Sequence, residues 1–198
     1  MGLILLNICW LIGAYLLGAI PFSYLVGRYK GVNLLEVGSK SSGATNVYRT
    51  LGLKYALIAF LLDMFKGFVA MWICYLINGF DSTWVVFAGL AAVVGHTFTP
   101  FLHFKGGKGV ATGVGLMLFM KPEIAIIGFI LEMIIIAITR YVSLASIVSA
   151  LAILIMSWLP FFAIIPAYRL LIFLAVAYVI FKHIPNMKRL AVGKENKI

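Results

Sequence analysis

The chain has 198 residues, of which 64% are apolar and 11% charged, against about 25% charged in an ordinary soluble domain. Its 22 charged side chains, 16 basic and 6 acidic, are too few to clothe a surface in water, which excludes a soluble globular domain. The net charge of +10 sits in short loops between apolar runs, a pattern of membrane orientation and anion binding rather than of nucleic-acid recognition.

Backbone groups inside a bilayer must be satisfied within the segment, so apolar runs of this kind are helices, and about 20 residues cross the hydrocarbon. Residues 3–27 form the first. The run lacks the basic start of a signal peptide and is too long for one, and its positive flank, Arg28 and Lys30, follows it. The N-terminus is therefore expected outside. Residues 55–78, 83–98, 110–120, 123–139, 142–159 and 167–181 follow, making seven. The fourth covers only about 18 Å, so it starts within the 105–109 loop or the loop before it dips into the membrane. A five-span arrangement with re-entrant weaker segments is the alternative.

Thirteen lysines and arginines fall on the inner side of the seven-span arrangement. Lys121 and Arg169 lie outside and Lys66 within a span, a positive-inside bias that makes the C-terminus cytoplasmic. The fold class is thus an all-α polytopic membrane bundle, with residues 1–198 as one domain.

Three polar segments interrupt the apolar chain, all on the cytoplasmic side. In residues 38–49, Ser39, Ser41, Ser42, Thr45 and Asn46 are compact hydrogen-bonding groups. Arg49 can fork onto a phosphate. A polar loop with a Thr45 or Asn46 helix cap is the plainer reading. In residues 95–112, Lys105-Gly106-Gly107-Lys108-Gly109 feeds into an apolar helix. Converging glycine N–H groups and a helix N-terminus make a phosphate site; a flexible connector is the alternative. The Walker spacing is absent, since Gly109 occupies the Ser/Thr place. In residues 182–195, His183, Asn186, Lys188 and Arg189 gather, and Pro185 marks a helix end or restart nearby. An anchor on anionic lipid explains the lysines of this segment but not His183 and Asn186.

Asp63 and Lys66, three apart in the second span, are expected to pair inside the bundle. Glu132 has no evident local partner, and Glu195 is expected to pair with a nearby base and brace the tail. His96 reads as a buried histidine that orients the glycine loop, and His103 as a surface residue. Neither the histidines nor Cys9 and Cys74, both expected to be buried small hydrophobes, have metal-ligand spacing; no metal, cofactor or disulfide is implied.

Cationic groups and a glycine loop at a membrane face suggest a transferase joining a soluble phosphate ester to a lipid-borne group. The alternative is a transporter of an organic phosphate, which should show internal repeats and mid-membrane polar groups. The polar groups lie at one face and no repeat is evident, which favours the transferase.

The motifs resemble the bacterial membrane glycerol-3-phosphate acyltransferases that take their acyl group from acyl phosphate. They are Gly38-Ser39 with Gly43-Ala-Thr-Asn46 and Arg49, Asp63 with Lys66-Gly67, Gly95-His96 with residues 104–112, Ser143-Leu-Ala-Ser146, and His183 with Asn186, Arg189-Leu190, Gly193 and Glu195. The family usually has Gly-Asn after the Gly-Ser pair, where this chain has Lys40-Ser41. The resemblance implies transfer from acyl phosphate to the 1-hydroxyl of sn-glycerol 3-phosphate, giving 1-acyl-glycerol 3-phosphate and inorganic phosphate at the cytoplasmic membrane. No acyl-CoA use is implied, and the His-x-x-x-x-Asp pair of other glycerolipid acyltransferases is absent, since Phe101 and Lys188 follow His96 and His183 at that spacing. On this resemblance Ser39, Arg49, Lys105, His183 and Asn186 would be catalytic. Thr45, Asn46, His96, Gly106, Gly107, Lys108, Gly109 and Arg189 would join them in binding substrate. Arg49 with Lys105 or Lys108 would hold glycerol phosphate, and the three glycines would cradle acyl phosphate through backbone N–H groups. Asp63, Lys66, Ser143 and Glu195 would support the site.

Overall fold

The computed structural model describes residues 1–198. The nine α-helices are α1 (Gly2–Ala19), α2 (Phe22–Tyr29), α3 (Ala44–Leu51), α4 (Leu53–Asn78), α5 (Thr83–Thr97), α6 (Val110–Met120), α7 (Pro122–Thr139), α8 (Val142–Trp158) and α9 (Pro166–Ala191), with no strand among them. Five stretches are long and apolar enough to cross a membrane: Gly2–Tyr29, Leu53–Asn78, Thr83–Leu102, Pro122–Thr139 and Pro166–Ala191. The apolar helices α6 and α8 are shorter, with 11 and 17 residues.

The distribution of polarity is that of a chain dissolved in lipid. Leu3, Ile4, Leu61, Phe65, Ile134, Ile138 and Ile155 are exposed, whereas Asn7, Asp63, Lys66, Glu132 and Ser149 are buried. Ionisable groups within apolar helices turn inward because hydrocarbon cannot solvate them.

The chain divides into two compact bodies, residues 1–116 and 117–198. In the first, α1 packs on α5 and α4, α4 on α5, and the short α2 and α3 on α4 and on each other. Backbones approach closely at small residues: a Cβ at Gly18 would strike Ala92 of α5, and one at Gly115 would strike the Met64 carbonyl of α4. Such stripes let membrane helices pack without a hydrophobic driving force. In the second body α8 packs against both α7 and α9.

Three expectations are corrected. The first apolar run is not one helix but breaks at Ile20–Pro21 between α1 and α2, because Pro21 has no N–H to continue the ladder. Pro185, by contrast, ends nothing, since α9 runs through it to Ala191. One missing N–H is tolerated there, six residues before the helix ends. Cys74 is buried as expected, but Cys9 is exposed on α1.

Candidate functional site

In the first body the segment before α3 is wound around one side chain. Asn46, buried in the first turn of α3, accepts the Ser39 N–H at 2.8 Å. Its Nδ2 amide lies 2.9, 3.1 and 3.0 Å from the carbonyls of Leu34, Val37 and Ser41. Gly38 passes this amide in the left-handed region, at φ 59°, where a Cβ would strike Asn46 Oδ1. Asn46 is thus a buckle for residues 34–41 and not a helix cap; Gly43 holds the cap position without a side-chain bond. Asn46→Ala is expected to cost about 1–3 kcal/mol through unsatisfied loop carbonyls. Thermal unfolding in detergent checks this, and an unchanged midpoint would remove the buckle role.

With the loop so held, Ser39 is exposed and Thr45 and Arg49 are half-buried. Ser42, which is buried, donates to the Lys105 carbonyl at 3.4 Å. That contact joins the first polar segment to the second. Arg49 is thereby carried on the same body as Lys105, which is exposed, and Lys108, which is half-buried.

The glycine loop is seated on the end of α5. The Phe104, Gly106 and Gly107 N–H groups donate to the carbonyls of Thr99, Thr97 and His96 at 2.9, 2.9 and 3.1 Å. This corrects one expectation, since the amides of Gly106 and Gly107 hold the loop in place and form no cradle for an anion. The need for glycine is steric instead. A Cβ at 106 would strike the His96 and Thr97 carbonyls, and one at 107 the His96 ring. Gly109 differs, with φ 83° at the entry to α6. The N–H groups of the first turn of a helix have no intrahelical partner, and the end carries partial positive charge. His96 is buried beneath the loop and His103 is exposed.

Below the loop lies a charged pair. Asp63 Oδ1 is 2.8 Å from Lys66 Nζ, with both residues at most 2% exposed. Ser23 donates to Asp63 Oδ2 at 2.6 Å, and Lys66 donates to the Ile20 carbonyl at 2.8 Å. The carbonyl of Ala19, also at the helix break, accepts the Thr99 hydroxyl at 2.6 Å.

The second body gathers the third segment. His183, Asn186 and Arg189 lie three residues apart on α9, and the tail folds back so that Glu195 meets two of them. Glu195 Oε1 accepts Ser143 Oγ of α8 at 2.9 Å and Asn186 Nδ2 at 2.6 Å. Its Oε2 accepts Arg189 Nε at 2.7 Å. Burial pushes this carboxyl upward, but the hydrogen bonds from Asn186, Arg189 and Ser143 and the Arg189 charge outweigh it and hold it below the usual range. His183 Nδ1 lies 2.7 Å from the Val179 carbonyl. In the neutral ring Nδ1 must therefore carry the proton, which leaves the lone pair on Nε2. Glu132, without a partner in sequence, accepts Ser146 Oγ at 2.7 Å.

Ser23, Ser42, Thr112 and Ser146 make hydrogen bonds that sequence reasoning did not assign, to Asp63 Oδ2, the Lys105 carbonyl, the Asp63 carbonyl and Glu132 Oε1. Ser23 left one signal, a lone hydroxyl two residues past a proline in an apolar run. No cluster of three metal-ligating side chains is present.

A family model described as glycerol-3-phosphate acyltransferase matches residues 8–193. The glycerol-3-phosphate acyltransferase of Aquifex aeolicus is 40% identical over 188 residues, covering 93% of this chain and 95% of that protein. That of Geotalea daltonii is 42% identical and covers 96% of each. The solved structure of PlsY (YgiH), an integral membrane glycerol 3-phosphate acyltransferase, in its glycerol 3-phosphate form is 38% identical. It superposes with a TM-score of 0.91 over 97% of this chain and 95% of that one.

Proposed function

We propose, given that this chain belongs to the glycerol-3-phosphate acyltransferase family, that it transfers an acyl group from acyl phosphate to sn-glycerol 3-phosphate. In the step, the glycerol 1-hydroxyl oxygen bonds to the acyl carbonyl carbon and the carbonyl–phosphate C–O bond breaks. The products are 1-acyl-glycerol 3-phosphate and inorganic phosphate. The observation that carries this reading is the Ser42–Lys105 contact, which joins the Arg49 segment to the lysine–glycine loop.

Both reactants are phosphate anions and the donor is an activated mixed anhydride. The enzyme's work is alignment and charge neutralisation more than acid assistance to the leaving group. Arg49 and Lys105 or Lys108 neutralise the phosphates, and Ser39 and Thr45 add short donors. Gly109 opens α6 toward an anion. His183 and Asn186 orient the acceptor hydroxyls, Asn186 being held by Glu195. The hydroxyl proton passes to His183 Nε2 or to a phosphate oxygen of the substrate. The seven-span topology, with the N-terminus outside and the polar segments on the cytoplasmic face of a bacterial inner membrane, is part of this reading. It is supported by the positive-inside bias.

The test is to supply the purified protein with glycerol 3-phosphate and either acyl phosphate or acyl-CoA, measuring lysophosphatidic acid and phosphate. Product with equimolar phosphate from acyl phosphate alone is expected. Product only from acyl-CoA overturns the donor, and product from neither returns the organic-phosphate transporter to favour.

A further inference from the structure

Asp63 sits where four segments of the first body converge, and the ion pair with Lys66 accounts for only part of its surroundings. Ser23 of α2 donates to Oδ2, and the Asp63 backbone carbonyl accepts the Thr112 hydroxyl of α6 at 3.1 Å. His96 of α5 presents Nδ1 to Oδ1 at 3.7 Å. The opposite edge of that imidazole faces the glycine loop, since a Cβ on Gly107 would overlap Nε2. The His96 carbonyl meanwhile receives the Gly107 N–H at 3.1 Å. Ser23, Asp63, Lys66, His96 and Thr112 are all buried.

A buried charge pair in a membrane helix is costly, and simple packing would be served as well by an apolar pair. What an apolar pair could not do is hold an imidazole between a carboxylate and a loop that carries two lysines. We propose that Asp63 is a positioning residue for acyl transfer, acting through His96. The carboxylate orients the ring, the ring sets the seat of Gly107, and the seat places Lys105 and Lys108 on either side of it. This deepens the acyltransferase reading and rests on it for the role of those lysines.

Asp63→Asn alone strands the Lys66 charge and could simply unfold the protein. The informative variant is Asp63→Asn with Lys66→Met, which removes both charges together, an exchange that is often near neutral for stability. Its melting midpoint is expected to stay near that of the parent. The catalytic efficiency is expected to fall about 10- to 100-fold, the range for supporting groups behind a site, with the loss appearing as a raised KM for a phosphate substrate. His96→Gln should give a similar loss, and the combined variant should be no worse than the poorer of the two, because coupled residues are not additive.

Parental kinetics in the charge-free variant would reduce Asp63 to a counter-ion and overturn the proposal. Losses that multiply in the combined variant would show that it acts independently of His96 and overturn it as well. An activity-independent readout separates this proposal from the functional reading. Hydrogen exchange at the Gly106 and Gly107 amides should quicken in the charge-free variant while the centre of α4 stays protected. If the parent protein transfers no acyl group, this exchange alone decides, and unchanged protection of the two amides rejects the positioning role.

Discussion

Alanine at Gly106 is expected to lower acyl transfer by about a hundredfold or more, the scale of a displacement of about 1 Å in a positioned group. The new Cβ would meet the carbonyls of His96 and Thr97, which are backbone atoms at the end of α5 and have no rotamer to move into. The loop cannot back away cheaply either. The Gly106 and Gly107 amides hold it at 2.9 and 3.1 Å from those same carbonyls, so relief of the clash breaks the bonds that seat it. Overpacking of this kind costs about 1–3 kcal/mol, and the lysines on either side move with the loop. Gly107→Ala should be milder, because its Cβ meets the His96 ring, which can turn if it gives up the approach to Asp63. Activity and thermal unfolding of the two variants in one detergent check this order. A Gly106→Ala protein of parental activity would show that the loop has another seat.

Glu195→Ala is expected to have the largest effect on stability in the second body. The carboxylate accepts bonds from Ser143, Asn186 and Arg189, so one truncation takes this acceptor from a buried hydroxyl and a buried amide. The Arg189 side chain is 43% exposed, and water screens that arm. The Ser143 and Asn186 arms carry most of the cost, at about 1–3 kcal/mol for each buried group left unsatisfied. A drop of about 3 kcal/mol in total is expected, with Glu195→Gln in between because it keeps an acceptor oxygen and loses the charge. Acid should reproduce the loss in the parent protein. Because the folded carboxyl is held below its ordinary value of 4.5, its contribution is complete above about that pH and disappears as pH falls through the lower folded value. Unfolding followed from pH 7 to 3 should show this decline, absent from Glu195→Ala. Equal acid sensitivity in both proteins would place the titrating group elsewhere.

These two variants also mark how far the residues could be read in advance. The need for glycine at 106 and 107 was legible as a motif, but its cause was misassigned. A run of Gly and Lys looks like converging amides, and nothing in it reveals that the amides are already bound to α5. Glu195 as a brace was legible because Arg189 lies six residues away. Its bond to Ser143, more than fifty residues distant in the chain, was not. Asp63 with Lys66 could be paired from their spacing, whereas Ser23, His96 and Thr112 reach the same residue from three other helices.

By itself the sequence determined everything that follows from solvent and spacing. A chain with 64% apolar residues must put its helices in lipid, its buried charges inward, and most of its lysines in loops, because hydrocarbon leaves no cheaper arrangement. Close neighbours such as Asp63 and Lys66 meet for the same local reason. Only the tertiary structure decided what the polar side chains do. It turned Asn46 inward as the buckle of a loop, split the first helix at Pro21 while letting α9 run through Pro185, and directed the Gly106 and Gly107 amides to carbonyls. A hydrogen-bonding group takes whichever partner is brought within about 3 Å, and between distant segments only packing brings one there.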